Sequence, residues 1–351
     1  MYDVVFYVAY PYYFPHFLPI SKECKKNNLK VKYILSNNQN NKLMKKISIE
    51  EKLDYDFGEE KLFLINTKVI IFANVFSESL KLKAKKIFLC HGTGTKQCGF
   101  EMAFKIKDIV IVEGEYRYNK FLKLYPEYKN KLKKVGYSKL DPIVNITEES
   151  KNKLYEQYNL NKEKKTILYA PTFFPSSIEK MSDNFPNDFK EFNIIVKPHY
   201  ISLERKRYKA QQRKFKKWEK FENCKIMDVN EYSLIPFLTI ADLMISDESA
   251  AIFEFSSLNK PVIINKFLKL RWSYYLNPKK LFKRMDKDID EYRDIGPNPK
   301  SYSEMVKNVY EEIKNNKNYE QKRLEKSIDI CGIIDGKVSL RIVNIIKDIS
   351  E

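Results

Sequence analysis

The chain has 351 residues, of which 43% are apolar, 14% aromatic and 31% charged, the composition of a globular protein with room for about two domains. A formal net charge of +18 favours attraction to nucleic acid, anionic lipid or phosphorylated substrates. Five scattered cysteines, Cys24, Cys90, Cys98, Cys224 and Cys331, never spaced C-x-x-C, argue against a disulfide framework or a zinc site and for a reducing compartment.

In chain order, "DVVFYVAY" (Asp3 to Tyr10) reads as a buried strand and "LPISKECKKNN" as a helix. The opening residues lack a basic n-region and a small-residue cleavage site, so no signal peptide is expected. "VKYILS", "KVIIFAN", "KKIFLC" and "DIVIVE" follow as short strands between helical stretches. This alternation predicts parallel strands joined by helical crossovers. The Gly-, Pro- and polar-rich stretch "KKVGYSKLDPIVNITEES" (Lys133 to Ser150) marks a boundary. Beyond it "TILYAPTF", "FNIIVKPHY", "ENCKIMDV", "ADLMISDES" and "KPVIINK" each carry a strand ending in a polar turn. Val338, Ile342, Ile345 and Ile346 then fall at helical spacing.

The expected architecture is α/β, with two Rossmann-like doubly wound domains facing a central cleft. The first covers residues 1–146, the second 147–336, and a closing helix 337–351. No run of about 18 apolar residues occurs, so no membrane-spanning helix is expected, and a soluble or peripheral cytoplasmic protein is the base reading.

His91 directly follows the strand "IFLC" and begins H-G-T-G-T-K, in a chain with three histidines and nine glycines. Gly92 and Gly94 make the turn tight, and a neutral imidazole there can accept a proton near pH 7, as a general base must. A capping or packing histidine is the other reading, and position alone does not separate the two. Lys197, Pro198 and His199 follow the strand "NIIV". Two of the three histidines thus end strands, one per domain, and would face each other across the cleft. His16, between aromatic residues, reads as a satisfied packing histidine.

"LMISDESAAIFEFSSLNKPVIIN" (Leu243 to Asn265) predicts a strand, a hydroxyl-rich turn Ser246-Asp247-Glu248-Ser249, and a helix from about Ala250 to Leu258. Amides and hydroxyls at such a helix start suit an anion. Asp247 and Glu248 would repel a phosphate, which falls to Ser246, Ser249 and the amides. Alternatively Ser249 or Asp247 only caps the helix.

The stretch "SLERKRYKAQQRKFKKWEKFE" (Ser202 to Glu222) holds nine Lys or Arg against three Glu. Tyr208, Phe215, Trp218 and Phe221 lie near one helical face. A basic helix with an aromatic stripe suits an anionic bilayer, with Arg213, Lys214, Lys216, Lys217 and Trp218 as contacts. The stripe packing on its own domain is the equal alternative. Contact with nucleic acid has no accompanying motif.

Taken together these elements resemble the CDP-glycerol glycerophosphotransferase family, the wall teichoic acid primases and polymerases. The family pattern H-G-T-P-x-K resembles His91 to Lys96, with Gly94 where proline is usual. G-Y-P-R-x-D resembles "GYSKLD", with Ser138 and Lys139 replacing proline and arginine. Y-A-P-T-W resembles "YAPTF", K-P-H matches Lys197 to His199, and S-D-Y-S-S resembles "SDESA", with Glu248 and Ala250 as departures. "DIGPNP" is similar to a P-G-P turn and "DGKVSLRIV" to the family's D-G-x-x-x-x-R tail. The ordered matches run from about residue 85 to the C-terminus, and before them only the architecture matches.

The resemblance implies a GT-B-type fold and transfer of a phosphopolyol, typically glycerol phosphate, from a CDP donor to a hydroxyl acceptor with release of CMP. It makes His91 the general base, on an acceptor-side turn of Gly92, Thr93, Gly94 and Lys96. It makes His199 the group that stabilises the pyrophosphate and the departing CMP. Lys197, the turn Ser246, Asp247 and Ser249, Thr172, Ser138 and Lys139 join it on the donor side. It implies no metal and no cofactor beyond the CDP-linked donor. The family's acceptors are polyprenyl-diphosphate-linked saccharides, so it favours an anionic membrane surface over nucleic acid, at the inner face of the plasma membrane. CDP-ribitol as donor, a glycosyltransferase of the same fold using a nucleotide sugar, and a non-catalytic basic binding protein are the alternatives.

Overall fold

The structure, a computed structural model, describes residues 1–37, 41–92, 100–271, 274 and 288–350. The chain divides into two compact units, one of Met1–Gly92, Cys98–Asn145 and Asp329–Glu351, the other of Ile146–Ile328. Each is a doubly wound, Rossmann-like α/β sheet, the pair of components that defines a GT-B-type fold.

The first unit carries β1 (Tyr2–Val8), β2 (Val31–Leu35), β3 (Tyr55–Phe57), β4 (Thr67–Phe72), β5 (Lys85–Leu89), β6 (Ile109–Val112) and β7 (Leu132–Lys134). They form one seven-stranded sheet in the order β3-β2-β1-β4-β5-β6-β7. Every pairing is parallel, with Val4 opposite Val31 and Val69, and Ile87 opposite Ile109. Parallel strands are covered on both faces, which is why Val4–Val8 and Ile109–Val112 are continuous apolar runs and buried throughout. The order reverses between β1 and β4, so the turns after β1, β4 and β5 share the carboxyl edge where such sheets bind ligands.

The second unit carries β8 (Thr166–Tyr169), β9 (Asn193–Val196), β10 (Cys224–Ile226), β11 (Leu243–Ser246) and β12 (Val262–Ile264). The order is β10-β9-β8-β11-β12, again all parallel. One face packs a core of Tyr169, Phe185, Phe189, Phe215, Trp218 and Val309.

Asp329–Gly336, placed by sequence in the second domain, belong with the first unit, as does the helix Val338–Ser350. Asp141 of "GYSKLD" caps that helix, its carboxylate accepting the N–H of Val338 at 3.1 Å and of Ser339 at 2.6 Å. Arg341 pairs with Asp335 at 2.7 Å and donates to the Val135 carbonyl at 2.7 Å. Between them Gly136 has φ +108°, and a Cβ there would stand 2.6 Å from Val338, so only glycine fits. Two motifs about 200 residues apart are therefore one structural joint.

The basic stretch corrects its sequence reading. It is not one helix but Tyr200–Glu204, a 3₁₀ turn Lys206–Tyr208 and a helix Lys209–Trp218. Trp218 is fully buried and donates its indole N–H to the Ser182 carbonyl at 3.0 Å, while Phe215 and Tyr208 are buried too. Lys214 donates to the Met181 carbonyl and lies 3.4 Å from Asp183, which Lys217 also contacts. The aromatic stripe is core, so Trp218 and Lys214 are not membrane contacts; Arg213, Lys216 and Lys217 are exposed. Among the described residues no helix is long and apolar enough to cross a membrane.

Candidate functional site

In the first unit, β5 ends at Leu89 and the buried Cys90 leads into His91, which is exposed. Among the described residues three rings lie beside the imidazole: Tyr13 at 4.9 Å between centroids, Tyr12 at 6.2 Å and His16 at 6.5 Å, the last edge-on. His91 thus stands at the sheet's carboxyl edge beside the turn that follows β1. Arg117, buried on the helix Glu115–Leu124, donates to the carbonyl oxygen of Gly92. Its guanidinium is held by the buried Glu113 at 3.3 Å and lies over the Phe100 ring at 5.1 Å. The turn is therefore anchored from below by a buried ion pair. A Cβ on Gly92 would meet no atom of the described residues within 4 Å. Thr93, Gly94 and Lys96 lie outside the described residues.

His16 is buried against Tyr137 at 5.3 Å, as a packing histidine should be, but its Nδ1 finds no hydrogen-bond partner among the described residues. Burial, with Lys139 and His91 nearby, holds its pKa well below the usual value, so the ring is neutral. Ser138 is buried and gives its hydroxyl to the His16 carbonyl at 3.1 Å, so its proton is engaged within the first unit. Lys139, half-buried, also belongs to this unit.

In the second unit the carboxyl ends of β8, β9 and β11 bring three motifs together. The Asp247 carboxylate is fully buried and accepts the N–H of Thr172 at 2.7 Å, the N–H of Ser177 at 2.8 Å, and the hydroxyls of Ser177 and Ser176 at 3.1 and 3.2 Å. Burial lifts its pKa to about 6, opposed by these donors. Ser246 is equally buried, its hydroxyl donated to Ala170 at 2.6 Å. Both side chains face inward and build the turn, although the sequence expectation gave the Ser246 hydroxyl to phosphate. Ser249 is half-buried and its hydroxyl accepts the N–H of Ala251 at 3.2 Å, as a cap does. The helix that follows is only Ala251–Ser256. Glu248, in place of the family's aromatic, pairs with Lys266 at 3.1 Å and with the buried Arg293.

His199, half-buried, accepts the Ile201 N–H at Nδ1 at 3.1 Å, so the neutral imidazole carries its proton on Nε2. The ring lies 4.8 Å from Phe173 of "YAPTF", whose neighbour Thr172 is the residue held by Asp247. Tyr208 meets Phe173 edge-on at 5.9 Å and accepts from Arg271 at 3.0 Å, and Arg271 stacks over Phe174 at 3.9 Å. Lys197 is half-buried at the end of β9. The sequence reading missed Arg271 and Arg117, since neither lies in a motif; an arginine among aromatic residues, "KLRWSYY", was the available signal for the first. Among the described residues no three His, Cys, Asp or Glu are grouped to hold a metal ion.

The family model "CDP-Glycerol:Poly(glycerophosphate) glycerophosphotransferase" matches residues 2–348. The chain belongs to this family. It is an enzyme of the CDP-glycerol glycerophosphotransferase type. Among related proteins, the teichoic acid glycerol-phosphate primase of Bacillus subtilis (strain 168) is 29% identical over 277 residues, 72% of this chain and 67% of the primase. The wall teichoic acid polymerase TagF shares the fold, with a TM-score of 0.72 at 19% identity over 99% of this chain and 88% of that one. A histidine-to-asparagine variant of TagF, solved with CDPG, gives a TM-score of 0.71 at 19% identity, covering 99% of this chain and 89% of that one.

Proposed function

We propose that this glycerophosphotransferase moves glycerol phosphate from CDP-glycerol to a hydroxyl of a lipid-linked or polymeric cell-surface glycan, as in teichoic acid or capsule synthesis, and releases CMP. The observation that carries this reading is the family match over nearly the whole chain, together with His91 and His199 at sheet edges. His91 takes the proton of the acceptor hydroxyl. The acceptor oxygen attacks the phosphorus that bears glycerol, and the bond from that phosphorus to the CMP oxygen breaks. The Nε2–H of His199 and the Lys197 ammonium offset the charge that develops on the phosphate oxygens and on departing CMP. Thr172 and Ser249 line the donor side, and Lys139 adds positive charge near His16. The exposed Arg213, Lys216 and Lys217 supply electrostatic attraction to an anionic membrane surface without inserting a side chain.

The test is a donor screen with CDP-glycerol, CDP-ribitol and nucleotide sugars, reading the released nucleotide. CMP release from CDP-glycerol is expected, and His91→Ala should lower turnover by about 100- to 10,000-fold, the range for a lost general base. Activity only with nucleotide sugars, or normal turnover in the variant, overturns the reading.

A further inference from the structure

Between β1 and the first helix the chain runs "AYPYYF", a turn no motif accounts for. Pro11 opens a 3₁₀ turn, Pro11–Tyr13, and the Tyr13 N–H closes it on the Tyr10 carbonyl at 3.0 Å. The rings are then arranged with unusual regularity. Tyr10 and Tyr12 lie parallel within 8° at 5.2 Å, and the buried Tyr13 stands edge-on to both, at 5.9 and 5.0 Å. Tyr13 is the ring nearest His91. Tyr10 is 40% exposed and Tyr12 half-buried, so ring surface reaches solvent beside the imidazole.

We infer that Tyr10 and Tyr12 form a platform that binds a sugar ring of the acceptor next to His91. This rests on the acceptor-side role given above to His91. The chemistry follows from the rings. An aromatic face is electron-rich and attracts the weakly positive C–H hydrogens of a pyranose, while phenol hydroxyls at the rim can bond the sugar's hydroxyls. Two χ angles per tyrosine, further limited by the stack and by Tyr13, leave little entropy to lose on binding. Hydrophobic burial alone would have turned these rings inward, as it did Tyr13. A glycerol phosphate chain presents no flat C–H face and a strong anion, which Tyr10 and Tyr12 do not complement. The platform therefore selects a sugar-terminated acceptor over the end of a polyol phosphate chain.

The test is saturation-transfer NMR on the full chain without donor, using the octyl glycosides of glucose, galactose and N-acetylglucosamine and, separately, glycerol phosphate oligomers. The wild type should transfer saturation to ring C–H protons of at least one glycoside. Replacing both rings, Tyr10→Ala with Tyr12→Ala, should weaken that binding by about 3- to 10-fold per stacked ring. Tyr10→Phe with Tyr12→Phe should retain most of it, since the faces persist. No transfer to any glycoside, equal transfer in the alanine variant, or binding of glycerol phosphate oligomers alone each overturns the assignment. The donor plays no part here, so failure of the CDP-glycerol reading would appear separately, as absent CMP release with sugar binding intact.

Discussion

The Asp247 carboxylate accepts the backbone N–H of Thr172 at 2.7 Å, joining the turn after β11 to the turn after β8 across 75 residues of sequence. The segment that carries Phe173 is thus set by a buried side chain one layer beneath it. Asp247→Ala would leave the N–H groups of Thr172 and Ser177 and the Ser176 hydroxyl without an acceptor, and should destabilise the protein by about 3 kcal/mol or more, read as a lower urea midpoint at unchanged slope. Asp247→Asn keeps one acceptor oxygen and should cost less. The pH dependence has a definite sign. With a native pKa of about 6 against an ordinary value near 3.9, the folded state binds a proton that the unfolded state releases. This contribution is most favourable below about pH 4 and fades as pH rises through about 6. Asp247→Asn should remove that slope, and a variant that titrates like the wild type would place the effect elsewhere.

In the first unit, Arg117 supports the turn that follows His91. Removing it takes an ion-pair partner from the buried Glu113 and a donor from the Gly92 carbonyl together, so Arg117→Ala should lower stability by about 3 kcal/mol and reduce CMP release. Arg117→Lys restores the charge but not the planar fork that reaches both partners, and should recover stability more than turnover. Thermal melting and turnover, measured on the same samples, separate the two effects.

How far these features could be read from sequence depends on what each residue touches. Ile109–Val112 and Val4–Val8 announced themselves because strands covered on both faces must be apolar. β3 and β7 did not, being three-residue edge strands in which only Leu132 is buried and no apolar run occurs. For Trp218 two readings stayed equal, because nine basic residues suit a membrane face while the aromatic spacing also fits a core stripe, and burial decides for the core. Ser246 was given to phosphate because sequence shows a hydroxyl at a helix start but not that this turn folds inward. Arg117 and Arg271 act on a backbone carbonyl and a distant tyrosine, partners that no local pattern encodes.

Lys107 offers a stability test away from the site. It is 1% exposed, donates to the Ser79 hydroxyl at 2.7 Å and sits 3.5 Å above the Phe72 ring. Burial pulls its pKa down to about 7. Between that value and the ordinary one near 10.4, the unfolded state holds a proton that the folded state does not, so stability rises with pH. Below about 7 the native state carries the buried charge and the penalty is full. Lys107→Met should raise the denaturation midpoint at pH 6 to 7, and the gain should shrink toward pH 10. Ser79 keeps a partner in the Phe76 carbonyl at 2.6 Å, so little is left unsatisfied. A gain that is the same at every pH would show that packing, not charge, causes it.

His199 can be divided into its two nitrogens. Nδ1 accepts the Ile201 N–H and caps the helix Tyr200–Glu204, while Nε2 carries the proton proposed to meet phosphate. An asparagine oxygen can replace Nδ1 as a cap acceptor but places no donor where Nε2–H stood. His199→Asn should therefore keep the melting temperature within experimental scatter yet lose about 100-fold or more in kcat, as expected for a missing donor to developing charge. His199→Ala should lose the same activity and, in addition, about 1 kcal/mol of stability from the vacated cap. Equal stability in the two variants would show that the cap contributes nothing. Near-normal kcat in His199→Asn would remove His199 from the chemistry and leave it as a helix cap packed against Phe173.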